Sequence, residues 1–154
     1  VAEAPTSAAA PLYFLSSQAR TPVAAIEITA GDAGGAVEVG TWVATVARHL
    51  SRRVAIVAVG ELSSRIFPGA PGGYEPDAAA FDRAVVELVA KADLAGLRSI
   101  DPARRSIAGE GLVPQPAAAL AALPGGAPAE PPSYEHPFGV GYLVARLAPP
   151  DGEP

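Results

Sequence analysis

The sequence predicts an α/β fold in which a mostly parallel central sheet is flanked by helices, and three stretches predict it. Pro22-Val23-Ala24-Ala25-Ile26-Glu27-Ile28-Thr29 is rich in β-branched residues and is stopped by Gly31-Asp32-Ala33-Gly34-Gly35, the pattern of a strand and its turn. Val39, Val43, Val46 and Leu50 then fall at helical spacing, within a helix predicted over 37–50. Val54-Ala55-Ile56-Val57-Ala58-Val59 is an unbroken apolar run closed by Gly60, which suits a strand buried on both faces under helices. A strand–helix–strand unit of this kind crosses over right-handedly and sets its strands parallel.

The remaining elements follow in order. Arg48, Arg52 and Arg53 crowd the end of the first helix, where cations meet the negative end of the helix dipole. A Gly/Pro loop over 67–74 leads to a second helix over 77–92, with Ala78, Phe81, Val85, Leu88 and Val89 on one face. Asp101-Pro102 is an N-cap and first-turn pair for a short helix, and 116–123 forms another, ended by Pro124-Gly125-Gly126. Residues 124–132 read as an exposed loop. Residues 138–147 read as the last strand, whose glycines mark a close backbone approach or a bulge. A length of 154 residues matches the ~100–200 of one domain. One domain is expected over 22–147, after a loose Ala/Pro/Ser-rich lead-in (1–21) and before a tail (148–154).

Composition narrows the function. With 49% hydrophobic and 18% charged residues the chain can bury a core, which excludes a disordered chain. The absence of cysteine excludes disulfides, thiolate metal sites and cysteine nucleophiles. A net charge of −5 argues against nucleic acid, whose binding depends on basic side chains displacing counterions. The apolar stretches fall short of the ~18–20 residues of a membrane span. No basic segment precedes the apolar residues at 11–15, so no secretory signal is expected and the protein is expected to be cytoplasmic. The chain starts at Val1 and has no methionine, which leaves two readings: a start codon read as valine, or a start inside a longer polypeptide. A small sheet in so apolar a chain leaves an edge or face to cover, so a homo-oligomer or a partner subunit is expected.

Open α/β sheets bind ligands outside the carboxyl ends of their strands. The turn leaving the central strand, Gly60-Glu61-Leu62-Ser63-Ser64-Arg65, therefore supplies the first site candidates: Glu61, Ser64 and Arg65. The competing reading has Ser63 and Ser64 capping the turn and Arg65 solvated. Gly-x-Ser-x-Gly is absent, so a serine hydrolase is disfavoured. His136, in the loop before the last strand, is a further candidate, although no second histidine stands at metal-ligand spacing. His49 sits near a helix end, where a dipole role fits. Gly31, Gly34 and Gly35 do not have the dinucleotide spacing, and Trp42 is read as helix packing.

Three pieces in order carry a resemblance. Val54-Ala55-Ile56-Val57-Ala58-Val59-Gly60-Glu61-Leu62-Ser63-Ser64-Arg65 resembles a strand and turn of the B-subunit (LigB-like) superfamily of class III extradiol ring-cleavage dioxygenases. Gly72-Gly73-Tyr74-Glu75-Pro76 with the helix from Ala80 resembles that family's next loop and helix. Tyr134, with Pro137-Phe138-Gly139-Val140-Gly141-Tyr142-Leu143-Val144-Ala145, resembles its closing strand. The likeness covers about 22–147 and is nearest to short, alanine-rich actinobacterial members.

The resemblance implies a three-layer sandwich, whole or as its C-terminal half. It also implies a chemistry in which Fe(II), held by two histidines and a glutamate, binds a catecholate beside O2, with a further histidine as acid/base. The iron-binding glutamate maps onto Glu110 in Gly109-Glu110-Gly111, and the acid/base histidine maps onto Ser64. The two iron-binding histidines have no counterpart in this chain. Serine has no proton to exchange near neutral pH and replaces imidazole poorly. The expectation is a relative without its iron ligands, non-catalytic or ligand-binding, with no cofactor and with a small aromatic molecule as its ligand class. The alternative is the C-terminal part or one subunit of an Fe(II)-dependent dioxygenase acting on a catechol, its missing ligands coming from another chain or segment.

Overall fold

The structure, a computed structural model, describes residues 9–14, 22–28, 33–123, 125–128 and 130–148. Parts of the expected lead-in (1–8 and 15–21), Thr29 with the first turn's Gly31 and Asp32, and residues 149–154 of the expected tail lie outside the described residues. The main helices are α1 (Ala33–His49), α2 (Ala78–Ala90), α3 (Leu94–Arg98), α4 (Pro102–Ala108) and α5 (Pro114–Ala122). Four short strands follow: β1 (Ala127–Pro128), β2 (Ser133–Glu135), β3 (Tyr142–Val144) and β4 (Leu147–Ala148), with a 3-10 turn at Pro137–Gly139. None of the described helices is long and apolar enough to cross a membrane.

The mostly parallel central sheet and the three-layer sandwich do not form. Among the described residues β-structure is confined to two antiparallel pairs. β1 lies against β4 with Ala127 opposite Ala148, and β2 against β3 with Tyr134 opposite Leu143. The two segments expected to be parallel strands, 22–28 and 54–59, are extended but join no ladder. Their β-branched residues favour an extended backbone, yet a strand needs a lateral partner to close its hydrogen bonds.

The helix expected to cover a sheet covers another helix instead. α1 packs on α5 so closely that a Cβ on Gly40 would overlap the Ala118 carbonyl, and Gly40 is buried at that contact. Trp42 is 65% exposed, so it does not supply the packing expected of it. The predicted last strand is interrupted as well. Pro137 contributes no N–H, Phe138 and Gly139 take φ of 58° and 80°, and the chain is extended again from Val140, ahead of β3.

The other helices form where their signals lie. α2 turns Phe81, Val85 and Val89 inward. The Asp93 side chain accepts from Gly96 N–H at 2.8 Å to start α3, a helix the sequence reading did not anticipate. Asp101 accepts from Ala103 N–H at 2.8 Å ahead of Pro102, as its capping signal predicts. α4 ends on Gly109, whose φ of 66° suits a residue without a Cβ. Leu62, Phe81, Val85, Leu97, Val113 and Leu120 belong to the core that α2, α3 and α5 enclose with the turn at 62.

Candidate functional site

The turn after segment 54–59 is the point where the distant pieces of the chain meet. Leu62 N–H donates to the Gly141 carbonyl at 3.0 Å, and Gly141 N–H returns a bond to the Ser63 carbonyl at 2.8 Å. Gly72 N–H donates to the Ser64 carbonyl at 2.9 Å, Glu75 N–H to that of Arg65 at 3.0 Å, and Gly111 N–H to that of Glu61 at 2.9 Å. The three stretches that carry the family resemblance are thus hydrogen-bonded to one another along residues 61–66, although no sheet holds them.

Each predicted site residue has a definite place. Glu61 is exposed. Ser64 is half-buried and its Oγ donates to the Gly109 carbonyl at 3.2 Å. Arg65 donates through Nη1 to the Ile107 carbonyl at 2.9 Å, while its buried Nε–H meets no acceptor among the described residues. Ser63 behaves as a turn cap: its Oγ accepts from Arg65 N–H at 3.0 Å and donates to the Ala108 carbonyl at 2.6 Å. His136 is exposed, its ring 5.7 Å from that of Tyr134. A groove of about 290 Å³ beside α1 and a depression of about 70 Å³ beside α2 are lined by none of Glu61, Ser64, Arg65, Glu110 and His136. The turn and Gly109 come together, and His136, exposed beside Tyr134, makes no hydrogen bond to Ser64 or Arg65 among the described residues.

Glu110 is enclosed. Its side chain has no exposed surface, and one oxygen pairs with Arg105 Nε. The other accepts from the amides of Leu112 and Val113, each at 2.8 Å. Those amides stand at the N-terminal end of α5, where an anion meets both free N–H groups and the positive end of the dipole. Both oxygens that a metal would need already face donors, one of them twice over. Among the described residues no three His, Asp or Glu side chains gather to hold a metal. The residues of this chain therefore do not by themselves fit the iron centre that the family resemblance implies.

The most distinctive polar group is one the sequence reading missed. Asp82 lies on the apolar stripe of α2, fully buried, between Phe81 and Val85. Its Oδ1 accepts from Ser63 N–H at 2.9 Å and its Oδ2 from Tyr134 O–H at 2.8 Å. Burial raises its pKa above the ordinary 3.8, outweighing the lowering by the Ser63 and Tyr134 bonds. Burial and the neighbouring carboxylate raise the Tyr134 phenol as well. Gly141 is the only residue that fits over this carboxylate, since a Cβ there would overlap Oδ2. The signal was available in the sequence: an acid at a position one turn from Ala78 and Val85 on a core-facing stripe needs a buried partner.

No protein-family model, curated protein or solved structure matches the chain. The extradiol resemblance rests on the quoted residues.

Proposed function

We propose that this chain is a cytoplasmic, non-catalytic relative of the LigB-like extradiol dioxygenases, in which the family's metal-binding carboxylate has become a structural clasp. One observation carries the reading: both oxygens of Glu110 are occupied inside the protein, by Arg105 and by two amides of α5. A carboxylate in that state is stabilised where it is, and drawing it out to a cation would leave Arg105 buried without its anion. Ser64 is consistent with the same loss, because its hydroxyl is tied to a backbone carbonyl and cannot exchange protons as imidazole does. The role left to such a chain is binding, and a small aromatic ligand is the class that the resemblance suggests.

Anaerobic loading with Fe(II), followed by desalting and metal analysis, tests the reading. Iron well below stoichiometric, with no oxygen uptake on addition of catechol, is expected. Stoichiometric iron that survives desalting would overturn it.

The unpaired extended segment 22–28, with Val23 and Ile26 exposed, favours a second reading. In it the chain is one part of an Fe(II)-dependent dioxygenase, and another polypeptide both covers this segment and supplies the histidines. Iron retention that appears only on co-purification with such a polypeptide would select that reading.

A further inference from the structure

Segment 54–59 is extended, and among the described residues its backbone makes no hydrogen bond. Val54, Ile56 and Val57 are 54%, 43% and 53% exposed. A row of free N–H and C=O groups beside β-branched side chains is a template for a further strand. Val54 and Ile56 have a partial wall, a groove shared with Val43 and Ala47 of α1.

We propose that this segment pairs with its own copy, antiparallel and centred on Val57, to form a symmetric dimer. The sequence is complementary to itself in that register. Ile56 lies opposite Ala58, Val54 opposite Gly60, and Ala55 opposite Val59, so large side chains face small ones on either side of the central Val57 pair. Arg53 lies opposite Glu61 at both ends. Both residues are exposed, and neither has an ion-pair partner among the described residues. A two-fold axis repeats each contact, so the charge match occurs twice.

Backbone bonding is compatible with the same register. Alternate residues of a strand direct their N–H and C=O to opposite edges. Leu62 N–H is already bonded to Gly141, so the edge that serves residues 54, 56, 58 and 60 is closed beyond Glu61. Glu61 presents its carbonyl to Gly111 on the other edge. A ladder using the even-numbered residues therefore runs as far as the Arg53–Glu61 pair and stops there. It leaves Val57 in a non-hydrogen-bonded pair with its symmetry mate, where side chains approach closest. This inference does not depend on the extradiol reading.

The chain has no cysteine, so a single introduced thiol reports the register directly. Under mild oxidation Val57→Cys, opposite itself, is expected to form a disulfide-linked dimer at least about tenfold faster than Val54→Cys, which lies opposite Gly60. Sedimentation of the unaltered chain is expected to show a reversible dimer. Arg53→Glu and Glu61→Arg, both at exposed positions, are each expected to weaken it by about tenfold, and an equimolar mixture of the two variants to restore it. A monomer at all concentrations, equal cross-linking at 54 and 57, association only with a different polypeptide, or charge reversals without effect would each overturn the proposal.

Discussion

Asp82 sets the pH response of the fold. Its folded pKa is raised, so the fold prefers the protonated acid. That preference contributes stability in full below the unfolded pKa of 3.8 and is lost as pH rises through the folded value. Asp82→Asn keeps a carbonyl oxygen for Ser63 N–H and cannot ionise. Urea unfolding across a pH series should therefore show the variant gaining on the parent as pH rises from about 4 toward neutrality. Tyr134→Phe removes the donor from Oδ2 and should cost about 1–3 kcal/mol, more at neutral pH than in acid, because the lost bond favours the charged form. Glu110→Gln retains an acceptor for the two amides but leaves the Arg105 guanidinium without its anion. A loss of about 3 kcal/mol in unfolding free energy is expected for it.

Helix pairing is the next scale, and Gly40 controls it. A side chain at that position meets the Ala118 backbone, which cannot rotate away as a flexible side chain could. Gly40→Val should separate α1 from α5 and lower stability by about 1–3 kcal/mol, read as a fall in the thermal midpoint. Elements whose causes are local were legible in the sequence. The Asp101-Pro102 cap and the stripe of α2 each depend on neighbours within a few residues. Elements whose causes lie far along the chain were not. Whether 22–28 and 54–59 become ladder strands depends on what lies beside them, which β-branched composition does not encode. The turn at 60–65 stood out in the sequence as a candidate site, and its hydrogen-bonded partners were not legible there. Its partners Asp82 and Tyr134 were missed because they lie 19 and 71 residues downstream of Ser63, as the numbering shows.

At the scale of the whole molecule, a few polar side chains lie inside the apolar core and several large apolar ones lie outside it. Asp82, Ser63 and Arg105 are buried, while Val54, Val57 and Trp42 are more than half exposed. The buried set joins the turn at 61–66, α2, α4 and the closing segment into one unit with its hydrogen bonds largely internal. The exposed set lies on α1 and on extended segments that lack a neighbour. Asp82 and Glu110, the acids of that unit, are both held by internal donors. The closed state of Glu110 is the claim on which this view rests, and thermal unfolding with and without anaerobic Fe(II) tests it directly. A ligand that binds only the folded state raises the midpoint by mass action. An unchanged midpoint for the parent chain is predicted. A rise with Fe(II) that Glu110→Gln abolishes would contradict it.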